Sequence, residues 1–333
     1  MIEEHKFAPF VRILGKGKNG TRSLSRAEAE EAMGMILDGQ VRPEQLGAFL
    51  MLLRVKEEAP EELAGFADAV KSRYAVGREI HVDLDWSTYA GKKRRHTWFL
   101  LVAFCLASHG YRIFMHGSKG HTPGRIYVED MLSLFSLTPC DSWARVETEL
   151  ERINFAYMSV DSFCPPLGDI IQLRPVLGLR SPVHTLCRML NPAQAPASID
   201  GVFHPPYGPM HQKAAQLLGI QRNLTMKGDG GEAEIRPDAE CLLQWVEGEV
   251  LNEYEWQRVV EKRFVKEEQL DPQVLVQVWR GESTHEYGVQ AIISTMAVVL
   301  RLLGEEGDPK GLLNKARQLW DRRNIDWCGS ISS

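Results

Sequence analysis

Residues 24 to 75 carry apolar positions at helical spacing in three blocks. Ser25-Arg-Ala-Glu28 forms a capping box, in which Ser25 accepts from the third helical N–H and Glu28 reaches back to the cap. Ala29, Ala32, Met33, Ile36 and Leu37 follow on one face, and Gly39 stops the helix. Pro43 opens the second block, with Leu46, Phe49, Leu50 and Leu53 on one face; Pro60 opens the third, with Leu63, Phe66, Ala67 and Val70. Roughly 50 residues of helix hold little core of their own, so these helices are expected to dock on the rest of the chain or on a second subunit.

After residue 78 the period changes from helical to alternating. Glu79 to Trp86 predicts a strand, Ala90 to His96 a basic loop, and Thr97 to His109 an apolar helix ended by Gly110. Tyr111 to Met115 predicts the next strand, His116 to Gly124 a loop, and a further helix runs through Leu137. Phe155 to Val160 and Asn223 to Lys227 read as strands, Gly208 to Leu218 and Tyr287 to Leu303 as helices. Strand, loop and helix in repeated succession predict an α/β domain with a mostly parallel sheet.

Composition adds little to this: 44% apolar and 25% charged residues are ordinary for a soluble globular protein. The N-terminus has no basic stretch leading into a long apolar run, so no signal peptide is expected. The longest apolar run, Trp98 to Ala107, is half of the roughly 20 residues a membrane span needs. The six cysteines have no C-x-x-C spacing, and free thiols in a reducing cytoplasm are the expectation.

Charge changes the picture. Trp86 to Val128 contains no Asp or Glu, although an average share of the chain's 44 acids would place between five and six there. Seven of the 39 basic residues lie inside it (Lys92, Lys93, Arg94, Arg95, Arg112, Lys119 and Arg125), so outside it 32 basic residues face 44 acids. A basic patch on an acidic protein points to an anionic ligand. Both of its loops follow strands and precede helices, where ligands of open α/β sheets bind and where helix N-termini favour anions. Small phosphates are held by backbone N–H groups beside small side chains, whereas Lys92 to Arg95 place four long cations there, suited to several phosphates of a polymer. Tyr89, Trp98, Tyr111 and His121 are candidate stacking groups for single strands, core packing being the expected role of Trp98. The turn Asp229-Gly-Gly-Glu232-Ala-Glu234 could hold Mg²⁺, and His204 and His211 flank a proline-rich loop as weaker catalytic candidates.

The sequence resembles the anthranilate phosphoribosyltransferases of glycosyltransferase family 3 and the nucleoside phosphorylase class, to about residue 240. Leu24 to Met33, Ile36 to Gly39, Gln45 to Leu50 and Leu53 to Lys56 are similar to that family's helical domain. His116-Gly117 resembles its HGNRS loop, Leu177-Gly-Leu-Arg180 with Leu190-Asn-Pro192 its LGxRT…NP segment, and Gly228-Asp-Gly230 its later HGxDG turn.

That resemblance implies a helical dimerisation domain over residues 1–78, joined by a returning segment near 163–185. It also implies a large α/β domain over 79–333. The family's GTGGD loop for phosphoribosyl pyrophosphate falls on Ser87 to Arg95, where the glycines are lost. Ser118-Lys119 replaces its Asn-Arg, Glu232-Ala-Glu234 its metal-binding Asp-Glu, and Phe163-Cys-Pro-Pro-Leu167 its FHPAM segment. These departures resemble a branch whose members form homodimers and bind DNA and RNA without sequence preference.

The leading expectation is a homodimer that binds single-stranded DNA or RNA through Lys92, Lys93, Arg94, Arg95, Lys119 and Arg125. His116, Gly117 and Arg180 form a candidate residual ligand site. The alternative is a glycosyl- or phosphoribosyltransferase with an altered donor or acceptor, with Mg²⁺ on Glu232 or Glu234. A third reading is a retired enzyme kept as an interaction scaffold.

Overall fold

The computed structural model describes residues 3–17, 19–77 and 79–327. A short helix that the periodicity does not reveal, α1 (Ala8–Gly15), precedes the three expected ones, α2 (Arg26–Leu37), α3 (Pro43–Lys56) and α4 (Pro60–Tyr74). Both halves of the capping box form: Ser25 Oγ accepts from the Glu28 N–H, and Glu28 accepts from the Ser25 N–H at 2.8 Å. Buried Glu62 ties the bundle together, accepting from the N–H groups of Leu24 and Ala59 at 2.8 Å each and from Lys56 at 2.7 Å. Helices α2 and α4 pack so closely that a Cβ on Gly65 would lie 2.2 Å from the Arg26 carbonyl oxygen.

The α/β portion runs β1 (Leu84–Thr88), α5 (Trp98–Ser108), β2 (Ile113–Gly117), α6 (Val128–Leu132), α7 (Trp143–Ile153) and β3 (Phe155–Ser159). The chain then returns to the helical bundle through α8 (Val160–Phe163), α9 (Pro165–Gln172), α10 (Arg174–Leu177) and α11 (Val183–Met189). In this segment α9 contacts α2, and α11 contacts α4. Next come β4 (Ala197–Gly201), α12 (Tyr207–Leu217), β5 (Arg222–Met226) and the hairpin β6 (Cys241–Glu247) and β7 (Val250–Trp256). Three helices close the chain: α13 (Gln273–Arg280), α14 (Glu286–Leu302) and α15 (Pro309–Asp321).

The seven strands form one sheet in the order β3-β2-β1-β4-β5-β6-β7. The first five are parallel, and the β6–β7 hairpin joins antiparallel. The expected strand over 79–86 begins only at Leu84, which has partners on both sides, Ile113 and Ala197. Alternating residues serve two cores. Ile113, Met115, Phe155 and Tyr157 face the layer of α5 and α14, while Phe114, Ala156 and Met158 face the layer that includes the helical bundle. The helix expected through Leu137 stops at Leu132 and continues as a 3₁₀ turn to Phe135.

Cys105, Cys140, Cys164, Cys187 and Cys241 are free and buried, and Cys328 lies outside the described residues. Among the described residues no helix is long and apolar enough to cross a membrane.

Candidate anion-binding site

Strand β1 lies between β2 and β4: the chain runs outward from β1 through β2 to β3, then crosses back to β4 and continues outward through β5 on the other side. Ligands of open α/β sheets bind at the carboxyl ends of the strands around such a switch point. The loops that follow β1, β2, β4 and β5 meet there, bringing together residues far apart in sequence.

The basic run after β1 does not present four cations to solvent. Lys92 is fully buried, its Nζ 2.6 Å from Asp229 Oδ2, 2.7 Å from Glu234 Oε1 and 3.2 Å from the Asp229 carbonyl oxygen. Its backbone exchanges two hydrogen bonds with Ile126, which fixes the loop while the side chain runs inward. The flanking carboxylates raise the Lys92 pKa against the desolvation that lowers it. Burial pushes Glu234 up to about 7, opposed chiefly by the Lys92 ammonium. Arg95 is buried as well: it donates to the Phe264 carbonyl at 2.9 Å, and its guanidinium lies 3.7 Å over the Tyr287 ring. Lys92 and Arg95 are therefore structural cations, contrary to the expectation that they contact phosphates. Lys93, Arg94 and Lys119 are exposed.

The backbone N–H groups of the same loop are also engaged. Glu232 Oε1 accepts from Ala90 at 2.8 Å and from Gly91 at 2.5 Å. Arg125, expected as a phosphate contact, donates from Nη1 to the carbonyls of Ala90, Gly91 and Gly230 at 2.9, 2.8 and 3.2 Å. Its role here is to hold the post-β1 loop to the post-β5 turn.

A divalent metal does not fit this donor set. Asp229 and Glu234 are taken by the ammonium, Glu232 by the loop, and Glu234 Oε2 also accepts from Phe99 N–H at the start of α5 at 3.0 Å. Among the described residues no group of three His, Cys, Asp or Glu could hold a metal ion.

The candidate residual site divides. His116 is fully buried; it donates from Nε2 to Asp85 at 3.0 Å and accepts at Nδ1 from the Tyr89 hydroxyl at 2.8 Å. A Cβ on Gly117 would lie 2.3 Å from the Thr88 carbonyl oxygen, so this glycine serves strand packing. Of that trio only Arg180 lines a cavity. The stacking candidates Tyr89, Trp98 and His121 are buried, and Tyr111 is partly buried, bonded to Glu305 at 3.1 Å. They are not open platforms for bases. His211 is buried and donates to Asp200 at 2.7 Å.

Sequence reasoning misses a cavity of about 260 Å³ lined by Arg54, Arg125, Arg180 and Arg188 together with His184 and His204, with no acidic residue in its wall. Helix α11 supplies His184 and Arg188, and the loop after β4 supplies His204. The cations strain one another. Arg180 is lowered to about 10 by burial and then by Arg188 and Arg125. His121 beside it is lowered to about 4, by burial first and by Arg180, Arg174 and Arg188. The signal for this cavity lies in arginines scattered from position 54 to 188, which only the fold assembles.

Residues 11–73 match the helical bundle domain of the glycosyl transferase family, and residues 99–321 match its α/β domain. The chain belongs to glycosyl transferase family 3. Within this family it is anthranilate phosphoribosyltransferase-like. It is 29% identical over 238 residues to the uncharacterized protein YbiB of Escherichia coli (strain K12), covering 69% of this chain and 73% of that one. It is 29% identical over 212 residues to the anthranilate phosphoribosyltransferase of Anaeromyxobacter sp. (strain Fw109-5), covering 62% of each. The fold matches crystalline anthranilate phosphoribosyltransferase from Thermus thermophilus with a TM-score of 0.79 at 21% identity, over 98% of this chain and 100% of that one. It also matches the Saccharomyces cerevisiae enzyme solved with PRPP and Mg, with a TM-score of 0.76 at 18% identity over 99% of each.

The histidines give this family 3 chain a pH dependence of definite sign. His121 titrates near 4 when folded, against an ordinary 6.5. The unfolded chain therefore takes up the proton first. Stability is full above the unfolded value and declines as pH falls from about 6.5 to about 4. At about 1.4 kcal/mol per pH unit, the His121 share over that window is on the order of 3 kcal/mol. Urea unfolding of wild type and His121→Asn across the window should show the wild type losing more stability by that amount. Parallel profiles would place His121 in an ordinary environment.

Proposed function

We propose that this protein binds nucleic acid without sequence preference, as a homodimer, and does not transfer phosphoribosyl groups. The observation that carries this reading is the division of labour at the switch-point edge. Lys93, Arg94 and Lys119 stand exposed, while the apparatus behind them is filled by the chain's own Lys92 and Glu232. Long, exposed, strongly hydrated cations contact successive phosphates of a flexible polymer and read no bases. With the aromatic candidates buried, affinity comes from charge rather than stacking.

A phosphoribosyl donor needs free N–H groups for its pyrophosphate and free carboxylates for its metal. Here an internal carboxylate takes the first and an internal ammonium takes the second. This weighs against the transferase alternative. The homodimer reading is supported by α1 and α3, which leave Val11, Ile13 and Leu46 only partly covered and Val55 85% exposed.

Fluorescence anisotropy with a labelled oligothymidylate tests the reading. Binding should weaken steeply with salt, since each phosphate neutralised on a single strand adds about 0.7 to the slope of log K against log salt. Binding that ignores salt, or no binding at low salt, contradicts it.

A further inference from the structure

Three polar side-chain atoms in one wall of the arginine-lined cavity have no hydrogen-bond partner: Ser181 Oγ, His184 Nε2 and Arg188 Nε. Ser181 and His184 are each 4% exposed. His184 spends Nδ1–H on the Ser181 carbonyl at 3.1 Å, which leaves Nε2 as the orphan. Buried polar atoms without partners are rare, because each costs the hydration it gave up. Ser181 Oγ and Arg188 Nε can donate while His184 Nε2, without a proton, can only accept, so beside arginines that repel one another they describe a site completed by a negatively charged group that accepts hydrogen bonds and also offers one hydroxyl.

The shape narrows the ligand. Arg188 carries a rigid fork of donors, and no described acid forms an ion pair with it. The acids whose charge reaches it are Glu232 and Asp200, already committed to the loop N–H groups and to His211. Arg54, exposed at the mouth, donates to the Tyr207 hydroxyl at 3.1 Å and can turn toward an incoming group. Several forked donors around one small volume suit a tetrahedral phosphate better than a single carboxylate, and its monoprotonated form also offers a P–OH to His184 Nε2. A mid-strand phosphodiester carries one charge and continues on both sides, so it cannot enter a cavity of about 260 Å³. A terminal phosphate can.

We propose that this cavity binds a phosphomonoester, and that its source is the phosphorylated end of a nucleic-acid strand. The source rests on the nucleic-acid reading above; the pocket itself stands on the orphaned atoms and the arginines. A larger cavity of about 410 Å³, lined by Ala67, Asn191, Pro196 and Gly219, lies where the chain enters β4 and β5, the wrong edge of the sheet for this chemistry.

The test compares three versions of one short oligothymidylate, bearing a 5′-phosphate, a 3′-phosphate or neither, on wild type and Arg188→Met. Charge-assisted hydrogen bonds should make one phosphorylated end bind wild type at least about tenfold tighter than the bare strand. Arg188→Met should abolish that preference and leave bare-strand affinity unchanged. Arg54→Ala, on an exposed side chain that folding does not need, should weaken the preference and guards against a misfolded Arg188 variant. Equal binding of all three strands by wild type overturns the strand-end source.

Calorimetry with inorganic phosphate and with a nucleoside monophosphate judges the pocket separately. Heat that Arg188→Met removes supports a phosphomonoester site even if no strand binds, in which case only the nucleic-acid reading has failed. No heat with either ligand and no strand preference overturns the site.

Discussion

Lys92→Met should destabilise the protein by about 3–5 kcal/mol at pH 8, the range for removing one partner of a buried ion pair, and by much less at about pH 5.5. Methionine fills nearly the same volume, so the loss is electrostatic rather than a cavity. It leaves Asp229 and Glu234 facing each other with no cation, Glu234 fully buried and Asp229 nearly so. Burial already lifts Glu234 to about 7 with the ammonium present, and without it the folded-state value rises further. A carboxyl group with a raised folded value stabilises the fold at low pH, and that contribution is lost as pH rises above its unfolded value. Denaturant unfolding of wild type and variant at the two pH values measures the difference. A small loss, or an equal one at both pH values, would mean that Lys92 does not neutralise the pair.

The second large effect concerns binding. Changing Lys93, Arg94 and Lys119 together to alanine should weaken oligothymidylate binding about 100-fold near 0.1 M salt and flatten the slope of log K against log salt by about 2. This is three phosphate contacts at about 0.7 each on a single strand. The three side chains are exposed, so the variant should unfold with wild-type stability, which separates lost contacts from lost fold. Adding Lys92 and Arg95 to that variant would confuse the two, because both are buried in structural interactions. An unchanged slope would move the polymer elsewhere on the surface.

Local patterns were legible in the sequence to the extent that their physics is local. The Ser25–Glu28 capping box sets the start of α2, and the charge-free run from Trp98 to Ala107 is a helix buried over those ten residues. The strands that escaped notice fail the local rule for a reason. Strand β4 is fully buried yet carries Ser198 and Asp200, whose polar groups are satisfied by Asn223, Thr225 and His211 from other elements. At the site the same limit is sharper. Four adjacent cations read as one feature, but Lys92 pairs with carboxylates 137 and 142 positions away, and Arg95 packs on Tyr287. Which cations turn inward depends on contacts that spacing does not encode. The family resemblance implies that glycines are lost from this loop; that Lys92 and Glu232 fill its surroundings emerges only in three dimensions.

In the function proposed here, Lys92 and Glu232 occupy from within the places that a metal and a pyrophosphate would need. Isothermal calorimetry of the wild-type protein with phosphoribosyl pyrophosphate, with and without Mg²⁺, addresses it most directly. No Mg²⁺-dependent binding is expected; any heat should be independent of Mg²⁺, coming either from the 5′-phosphate in the arginine-lined cavity, which Arg188→Met removes, or from weak, salt-sensitive contacts with exposed lysines and arginines. Saturable binding that requires Mg²⁺ would contradict it and return the protein to the transferases.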